Sequence, residues 1–247
     1  MNTDNLMINN KIPMKYAGLS SPGKKEQNED RFLIKKLCPD MIFLALADGL
    51  GGQPAGHIAA QTAIQAVENF IPCSGEIEKE MGELILKADD SVTARSKDDP
   101  ALEYMGTTLT IALFDKDRIF WAHVGDARIY HLKENELFQI TLDQTMAQFL
   151  VEEGEITREE AMKHPMQNFL AQSLGGGGCE PQTGSFQVTP GEIVMLCSDG
   201  LYSEINAQQI VEILSSKKNL KEKICLLVSA ANDAGGHDNI TALGIEF

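Results

Sequence analysis

Four short acidic segments are spread over almost the whole chain: Asn28-Glu29-Asp30, Ala47-Asp48-Gly49, Ser198-Asp199-Gly200 and His237-Asp238-Asn239. Three of them lie at the edge of a short apolar or β-type run, so that a sheet could bring their carboxylates together at one end. Hard divalent cations such as Mg²⁺ and Mn²⁺ prefer oxygen ligands, and a carboxylate cluster leaves coordination positions open for water and a phosphate. The segments therefore predict a divalent-metal site suited to hydrolysis.

Each Asp-Gly pair, taken alone, is also a common turn sequence. Asp48, however, ends the apolar run 42–47, and Asp199 nearly ends the run 193–197. A carboxylate on the buried side at such a place needs a strong partner. The four segments together favour a metal over unrelated turns.

Strands must carry these segments to a common edge. Apolar or alternating runs predict strands over 14–19, 31–36, 41–47, 107–114, 118–124, 128–132, 136–140, 183–188, 193–197 and 240–247. Helical spacing predicts helices over 54–70, 77–96, 207–214 and 220–232. Paired helices between antiparallel runs indicate an α+β fold, with a sheet-on-sheet core and helices outside.

Residues 143–178 break the strand rhythm with two short helical patterns, 144–152 and 158–163, and end in Gly175 to Gly178. This glycine run lacks the Lys-Ser/Thr ending of a phosphate-binding P-loop. We interpret the glycines as a hinge and the whole segment as a flap, and a loop of this kind over a metal site can govern access.

Length and composition indicate one packed domain. The chain has 247 residues, of which 43% are hydrophobic and 23% charged, without a linker, repeat or low-complexity tract. We expect a polar N-terminal extension over residues 1–14 and a single domain over 15–247.

Net charge excludes two classes of partner. With 21 basic and 36 acidic residues the formal charge is -15, which argues against nucleic acid and against an anionic membrane surface. The longest apolar runs are also too short to span a bilayer. We expect neither nucleic acid nor membrane as a partner.

Cysteine usage indicates a reducing compartment. The five cysteines are an odd number, widely spaced and without C-x-x-C, which favours neither a disulfide framework nor a zinc ribbon. Residues 1–14 also lack the apolar region of a signal peptide. These observations predict a cytoplasmic protein.

Six motifs in order closely resemble those of the metal-dependent PP2C-type (PPM) protein serine/threonine phosphatases, particularly the compact bacterial members. They are Gln27-Asn28-Glu29-Asp30, Ala47-Asp48-Gly49-Leu50-Gly51-Gly52, Met105-Gly106-Thr107-Thr108, His123-Val124-Gly125-Asp126-Ala127-Arg128, Ser198-Asp199-Gly200-Leu201 and Asp238-Asn239-Ile240-Thr241. The match covers nearly the full chain from about residue 15. Each motif is weak alone, whereas six in this order are highly specific.

The resemblance implies a four-layer α/β/β/α sandwich of two antiparallel sheets, with two Mn²⁺ or Mg²⁺ ions at one end. Asp48 would bridge both ions, the Gly49 carbonyl would bind one, and Asp199 and Asp238 would hold the other. The remaining members of the predicted site are Glu29 and Asp30, which would bind directly or through water, and Asn239, which would support the ligands.

The implied reaction is hydrolysis of phosphoserine or phosphothreonine. Two cations lower the pKa of a shared water, so that a metal-bridging hydroxide attacks phosphorus directly and no phosphoenzyme forms. The implied partners are phosphoprotein substrates and a cognate Ser/Thr kinase or its targets, and we expect a monomer.

Lys25 occupies a position where the family usually has an arginine that holds the substrate phosphate, and Lys24 is adjacent. Lysine offers a point charge where arginine offers a bidentate fork. Lys25 is therefore a candidate catalytic residue with weaker orientation of the phosphate. The alternative is that both lysines are solvated loop residues.

Two further departures concern a general acid and a third ion. Leu50 replaces a histidine that many eukaryotic members have, which leaves His164 in the flap as a candidate acid beside metal-bound water. Ser203 stands where an aspartate often helps to hold a third ion, so Asp126 predicts at most a weak third site. Asp126 has the structural alternative of an ion pair or turn bond with Arg128.

Other functions stay open at this point. A catalytically silent relative that binds phosphoproteins is disfavoured by intact Asp48, Asp199 and Asp238, whereas Lys25 mildly favours it. A noncatalytic Ca²⁺-binding protein is disfavoured because no contiguous D-x-D-x-D-G loop is present. A metallohydrolase of small phosphates is harder to exclude.

Overall fold

The computed structural model describes residues 14–50, 55–161 and 163–247. The strands in these ranges are β1 Lys15–Ser21, β2 Arg31–Cys38, β3 Met41–Ala47, β4 Leu109–Asp115, β5 Arg118–Val124, β6 Arg128–Lys133, β7 Glu136–Gln139, β8 Gln182–Gln187, β9 Ile193–Cys197 and β10 Ile240–Glu246. The helices are α1 Gly56–Val67, α2 Ile77–Asp98, α3 Met146–Glu152, α4 Arg158–Ala161, α5 Asp199–Tyr202, α6 Ala207–Leu214 and α7 Leu220–Ala234, with a 3₁₀ turn at Pro100–Leu102.

The strands form two five-stranded antiparallel sheets. The first sheet has the order β1-β10-β9-β6-β7 and the second has the order β2-β3-β4-β5-β8. The first sheet joins the two ends of the described chain, because Lys15 lies opposite Glu246 and Ser21 opposite Ile240. Strands β3 and β9 are buried on both faces, which explains why they occur in the sequence as continuous apolar runs.

Three apolar layers hold the sheets and helices together. The layer between the sheets includes Leu44, Leu196 and Leu243. A second layer packs the outer face of the β2–β8 sheet against α1 and α2, and a third packs the other sheet against α6 and α7. The molecule is therefore a four-layer α/β/β/α sandwich, and the α+β prediction is confirmed.

Local sequence fixes where the outer helices begin. Asn206 and Gln209 form a reciprocal capping box at α6, and Asn219 and Glu222 form another at α7. Helix α1 has no side-chain cap of this kind, and it follows Ala55, whose φ of 62° is left-handed. The start of α1 is instead shaped by the residues that pack around it, as described below.

Several element boundaries differ from the sequence-based predictions. Strand β4 begins at Leu109 and not at 107, because Thr107 and Thr108 bond to the backbone of Asp48. Helix α1 covers a shorter range than the predicted 54–70, and the one-turn helix α5 was not predicted. The predicted N-terminal extension lies, apart from Met14, outside the described residues. In the described ranges no helix combines the length and apolar character that crossing a bilayer requires.

The inter-sheet layer should contribute substantially to stability. Leu196 is fully buried there, so Leu196→Ala should lower the free energy of unfolding by about 2–5 kcal/mol through lost burial and a residual cavity. Urea denaturation followed by circular dichroism measures this change. Ile71→Ala is the control, because Ile71 is 70% exposed and should change stability by less than about 0.5 kcal/mol. Equal effects of the two substitutions would contradict the assignment of the core.

Candidate metal centre

Asp30 precedes β2 and is the most deeply buried of the predicted carboxylates, with 3% of its surface exposed. Its Oδ2 accepts hydrogen bonds from Ser198 Oγ at 2.8 Å and Thr241 Oγ1 at 2.6 Å. Its Oδ1 is buried and has no hydrogen-bond partner. A buried carboxylate oxygen without a partner is costly, and a cation or a cation's water would satisfy it. This atom fits the predicted metal site.

The backbone of Asp48 is fixed where β3 ends. Its N–H donates to Thr108 Oγ1 at 3.0 Å, and its carbonyl accepts from Thr108 N and Thr107 Oγ1, each at 2.8 Å. The next residue must be glycine, because a Cβ on Gly49 would collide with the carbonyl of Gly56. The chain therefore turns tightly at Asp48-Gly49 while the Asp48 carboxyl group stays out of these backbone bonds.

Asp199 and Asp238 come together because their backbone segments touch. Asp199 follows β9 and opens α5, and Asp238 lies just before β10. A Cβ on Gly200 would collide with the carbonyl of Asn239, so the two segments pack at glycine contact distance. The adjacent strands β9 and β10 thus deliver both carboxylates to one end of the sandwich.

Asn239 binds the loop that carries the first acidic segment. Its Oδ1 accepts from Glu29 N at 2.7 Å, and its Nδ2 donates to the carbonyls of Pro22 at 3.0 Å and Gln27 at 3.1 Å. Every side-chain bond of this buried amide is to backbone. These bonds hold the loop of the first acidic segment beside Asp238, and the supporting role of Asn239 toward metal ligands stays a prediction.

Lys25 lies on that same loop and reaches the carboxylates. Its Nζ is 3.3 Å from Asp238 Oδ2, and 45% of its side-chain surface is exposed. An exposed ammonium at the edge of an acidic cluster can contact an incoming phosphate. The adjacent Lys24 is exposed as well, and its N–H donates to the carbonyl of Gly236.

Glu29 faces the start of α1. Burial raises the pKa of the Glu29 carboxyl group, and the nearby His57 opposes part of this rise. A Cβ on Gly56 would approach Glu29 Oε1 to 2.9 Å, which explains the glycine at this helix start. An acidic side chain also interacts favourably with a helix N-terminus.

Burial and mutual repulsion raise the pKa values of the clustered carboxyl groups. Burial, followed by the charges of Asp30 and Asp199, raises the pKa of Asp48 well above its ordinary range. Burial raises the pKa of Asp30 to about 6. The pKa of Asp199 is raised by burial and by the charge of Asp238. The cluster thus carries more negative charge than its surroundings neutralise, which is the electrostatic condition for binding cations.

The carboxyl group of Asp48 lies close to those of Asp30 and Asp199, near enough for each to influence the pKa of the others. Among the described residues, no three His, Cys, Asp or Glu side chains are arranged around a common point that could hold an ion. The carboxyl groups are nevertheless electrostatic neighbours, because the charges of Asp30, Asp199, Asp126 and Asp238 all raise the pKa of Asp48. The structure therefore brings the predicted ligands together without showing coordination geometry.

Asp126 lies in the turn between β5 and β6, with 8% of its surface exposed. Burial and the charge of Asp199 raise its pKa to about 8. The alternative ion pair with Arg128 is wrong, because Arg128 pairs with Asp143, with Nε to Oδ1 at 2.9 Å and Nη2 to Oδ2 at 2.6 Å. The Asp126 carboxylate is therefore left to face the acidic cluster.

The Arg128–Asp143 pair is a site feature that sequence reasoning missed. The Arg128 guanidinium lies 3.5 Å from the ring centroid of Tyr202, and the Tyr202 hydroxyl donates to the carbonyl of Asp126 at 3.0 Å. The pair thus joins the first residue of the predicted flap, Asp143, to the Asp126 turn and to α5. The one signal in the sequence is the position of Arg128 two residues after Asp126.

Two histidines have local roles. His123 is buried, with Nδ1 2.7 Å from Thr110 Oγ1 and Nε2 2.9 Å from the carbonyl of Gly125. His164 Nδ1 accepts from Met166 N at 3.3 Å in a local turn. No bond joins His164 to the described acidic residues, and its role as an acid stays a prediction.

In EDTA the protein should lose stability as pH rises from 6.5 to 8. A carboxyl group whose folded-state pKa is raised holds a proton that the unfolded chain has already released. For Asp126 the ordinary pKa is 3.8 and the folded-state pKa is about 8, so its contribution to stability falls as the pH rises between these two values. Burial lowers the pKa of His123 from 6.5 to about 4, so the contribution of His123 makes stability rise with pH, but only below about pH 6.5. The window from pH 6.5 to 8 therefore reports on the carboxyl groups.

Urea denaturation in EDTA should show a slope on the order of 1 kcal/mol per pH unit from Asp126 alone. Asp126→Asn should flatten the slope, and Asp233→Asn, at an exposed position on α7, should leave it unchanged. Stability that rises with pH across this window would contradict the raised pKa values.

Comparisons with known proteins agree with this geometry. The family model described as Protein phosphatase 2C matches residues 17–242. The serine/threonine protein phosphatase PstP of Mycobacterium tuberculosis is 36% identical over 226 residues, covering 87% of this chain and 43% of PstP, so the chain spans less than half of that protein. The serine/threonine phosphatase stp of Listeria welshimeri is 33% identical over 229 residues, covering 90% of this chain and 91% of the relative.

A solved structure shares the whole sandwich. The catalytic domain of the serine/threonine protein phosphatase PstP, in complex with two manganese ions, superposes with a TM-score of 0.81 at 34% identity, covering 94% of this chain and 97% of that one. The family model and the full-length stp relative both extend over nearly all of the described sandwich. This chain belongs to the protein phosphatase 2C family.

Proposed function

We propose that this chain is a metal-dependent protein serine/threonine phosphatase. The observation that carries the proposal is the gathering of Asp30, Asp48, Asp199 and Asp238 at one end of the sandwich, with one buried oxygen of Asp30 unpaired. Family membership and the names of the relatives support the substrate class. The activity, substrates and partners of any longer protein that contains this chain belong to the same proposal.

Two Mn²⁺ or Mg²⁺ ions are the cofactors of this proposal. The residues that would hold them are Asp48, the Gly49 carbonyl, Asp199 and Asp238, with Glu29 and Asp30 at the edge of the site. All are oxygen donors, as hard cations prefer. When bound, such ions supply an acidic water near neutral pH and neutralise charge that develops on a phosphoryl group.

The chain's own residues orient the substrate around this centre. Lys25 contacts the phosphate from the exposed edge, where its ammonium already lies beside Asp238. Asn239 keeps the Lys25 loop against the acidic cluster through its bonds to Pro22 and Gln27. We include Lys25, Asp30 and Asn239 as the catalytic set, with Asn239 acting through position.

A third ion belongs to the proposal only as a weak site. Asp126 offers one carboxylate that faces the cluster, whereas the exposed Ser203 contributes no charge. A flap residue would have to complete the coordination. Occupancy of this site should therefore need higher metal concentrations than the main site does.

The flap, residues 143–178, is proposed to govern which phosphopeptides enter. Its first turn is tied to the centre, because Gln144 N donates to the carbonyl of Gly125 and Gly125 N donates to Gln144 Oε1. Farther along, Phe149 and Phe169 expose 46% and 65% of their surfaces. Exposed aromatic side chains beside a reaction centre can contact a peptide.

The proposal also covers the partners, the oligomeric state and the cellular location of the protein. Phosphoproteins are the substrates, and a Ser/Thr kinase or its targets would be the functional partner. Monomeric state and cytoplasmic location stay predictions. Fractionation and analytical ultracentrifugation of the native protein are the measurements that address them.

Phosphate release from a phosphothreonine peptide should require Mn²⁺ and cease in EDTA. Asp199→Asn should lower kcat by at least about 100-fold, because one anionic ligand is lost where charge must be balanced. Asp233→Asn on α7 is the matched control and should retain wild-type activity. No release from a folded wild-type protein with Mn²⁺ bound would contradict the proposal and favour a phosphoprotein-binding module or a small phosphate substrate.

Lys25→Ala should lower kcat/KM for the same peptide by about 10-fold or more, mainly through KM, because a charge-assisted contact to phosphate is removed. Lys25→Arg should restore or exceed the wild-type value, since its fork can bind two phosphate oxygens. Lys24→Ala is the adjacent control. Equal effects of Lys24→Ala and Lys25→Ala would show that both act only as general positive charge.

A further inference from the structure

Asp89 is a buried acidic residue outside the metal centre. It lies on α2 with 2% of its surface exposed, whereas the next residue, Asp90, is exposed. A buried carboxylate needs strong partners, because leaving water is costly for a charge. These partners come from the segment that closes the flap.

Three backbone N–H groups converge on the Asp89 carboxylate. Oδ1 accepts from Gly175 N at 2.8 Å, and Oδ2 accepts from Gly178 N at 2.8 Å and Cys179 N at 3.4 Å. Such a concave set of backbone donors commonly binds anions. Here the anion is supplied by the protein itself, from a residue 86 positions earlier than Gly175.

The glycines are needed for this arrangement. Gly175 has φ +107°, Gly177 has φ +73° and Gly178 has φ +100°, which are conformations that other residues rarely adopt. A Cβ on Gly175 would also collide with the carbonyl of Met105. The run interpreted as a hinge from the sequence thus contains a positive-φ loop, and Gly175 N and Gly178 N both donate to Asp89.

The anchored loop connects directly to the metal centre. Leu174, immediately before it, exchanges two backbone hydrogen bonds with Thr107, at 2.9 and 3.2 Å. Thr107 in turn pairs with Gly49 and donates through its hydroxyl to the carbonyl of Asp48 at 2.8 Å. Two residues, Leu174 and Thr107, thus separate the anchored loop from the Asp48-Gly49 turn.

We propose that Asp89 is a positioning residue that fixes the return end of the flap and, through Leu174 and Thr107, the backbone of Asp48-Gly49. The effect of Asp89 on metal binding rests on the proposed function, whereas its effect on the conformation of residues 174–179 does not. A carboxylate suits this position because its two oxygens accept from both ends of the loop at once. The flap is then anchored at both ends, by Asp89 here and by Gln144 at its start.

The test is amide hydrogen exchange combined with Mn²⁺ calorimetry on the full chain. Asp89→Ala should speed exchange of the amides of residues 174–179 at least 10-fold and raise the Mn²⁺ Kd about 5-fold. Asp89→Asn should give smaller changes of the same kind, because its amide oxygen keeps one acceptor. Asp90→Ala, one position along the same helix, should match the wild type in both measurements.

Thr107→Val tests the coupling to Asp48 separately from the anchoring of the loop. It also tests this coupling if Asp89→Ala does not fold. It removes the hydroxyl bond to Asp48 at nearly constant volume, so it should raise the Mn²⁺ Kd while exchange at Gly178 and Cys179 stays unchanged.

Unchanged exchange at 174–179 in folded Asp89→Ala would overturn the anchor. Faster exchange with an unchanged Mn²⁺ Kd would overturn the coupling to Asp48. Failure of the phosphatase proposal would be recognised separately, by a wild-type protein that binds Mn²⁺ and releases no phosphate from the peptide.

Discussion

Repulsion among buried carboxyl groups is the constraint on which the rest of the structure depends. Burial and neighbouring charge raise the pKa values of Asp48 and Asp126, so bringing these groups together costs free energy. Hydrogen bonds offset only part of that cost, because they reach Asp30 Oδ2 and leave its Oδ1 unpaired. In the proposed function, cations supply the remaining compensation, and a protein that needs cations for this purpose is a metal-dependent one.

Asp30 also shows how the two sheets are joined at this end. It directly precedes β2, which belongs to one sheet. Its two hydrogen-bond donors belong to the other sheet, because Ser198 directly follows β9 and Thr241 lies on β10. Away from this end, apolar side chains such as Leu44, Leu196 and Leu243 pack between the sheets. The acidic end is therefore the place where sheet-to-sheet geometry is set by polar contacts, which have directional requirements that apolar packing lacks.

The sequence predicted the features that depend on neighbouring residues and missed those that depend on residues far apart in the chain. Apolar runs located β3 and β9 because strands covered on both faces have no polar positions, and the six motifs identified the carboxylates. Sequence did not reveal the bond between Arg128 and Asp143 or that between Asp89 and Gly175, which join residues 15 and 86 positions apart. Such pairs leave no periodicity, and the structural alternative for Asp126, an ion pair with Arg128, chose the nearer acid for the same reason. Nothing in the sequence indicated that glycines of the run interpreted as a hinge have positive φ values and bond to Asp89.

The residues that position the centre mostly bond to backbone and not to the carboxylates. Thr107 and Thr108 bind the main chain of Asp48, Asn239 binds that of Glu29, and Tyr202 binds that of Asp126. Because these bonds do not use the carboxylate oxygens, those oxygens can exchange a proton for a cation while the main chain keeps its place. Asp30 differs, because Ser198 and Thr241 donate to its carboxylate itself. These bonds link the two sheets and restrict the Asp30 side chain. In the proposed function, this division of roles lets cations replace protons on the carboxylates without breaking the backbone bonds that position them.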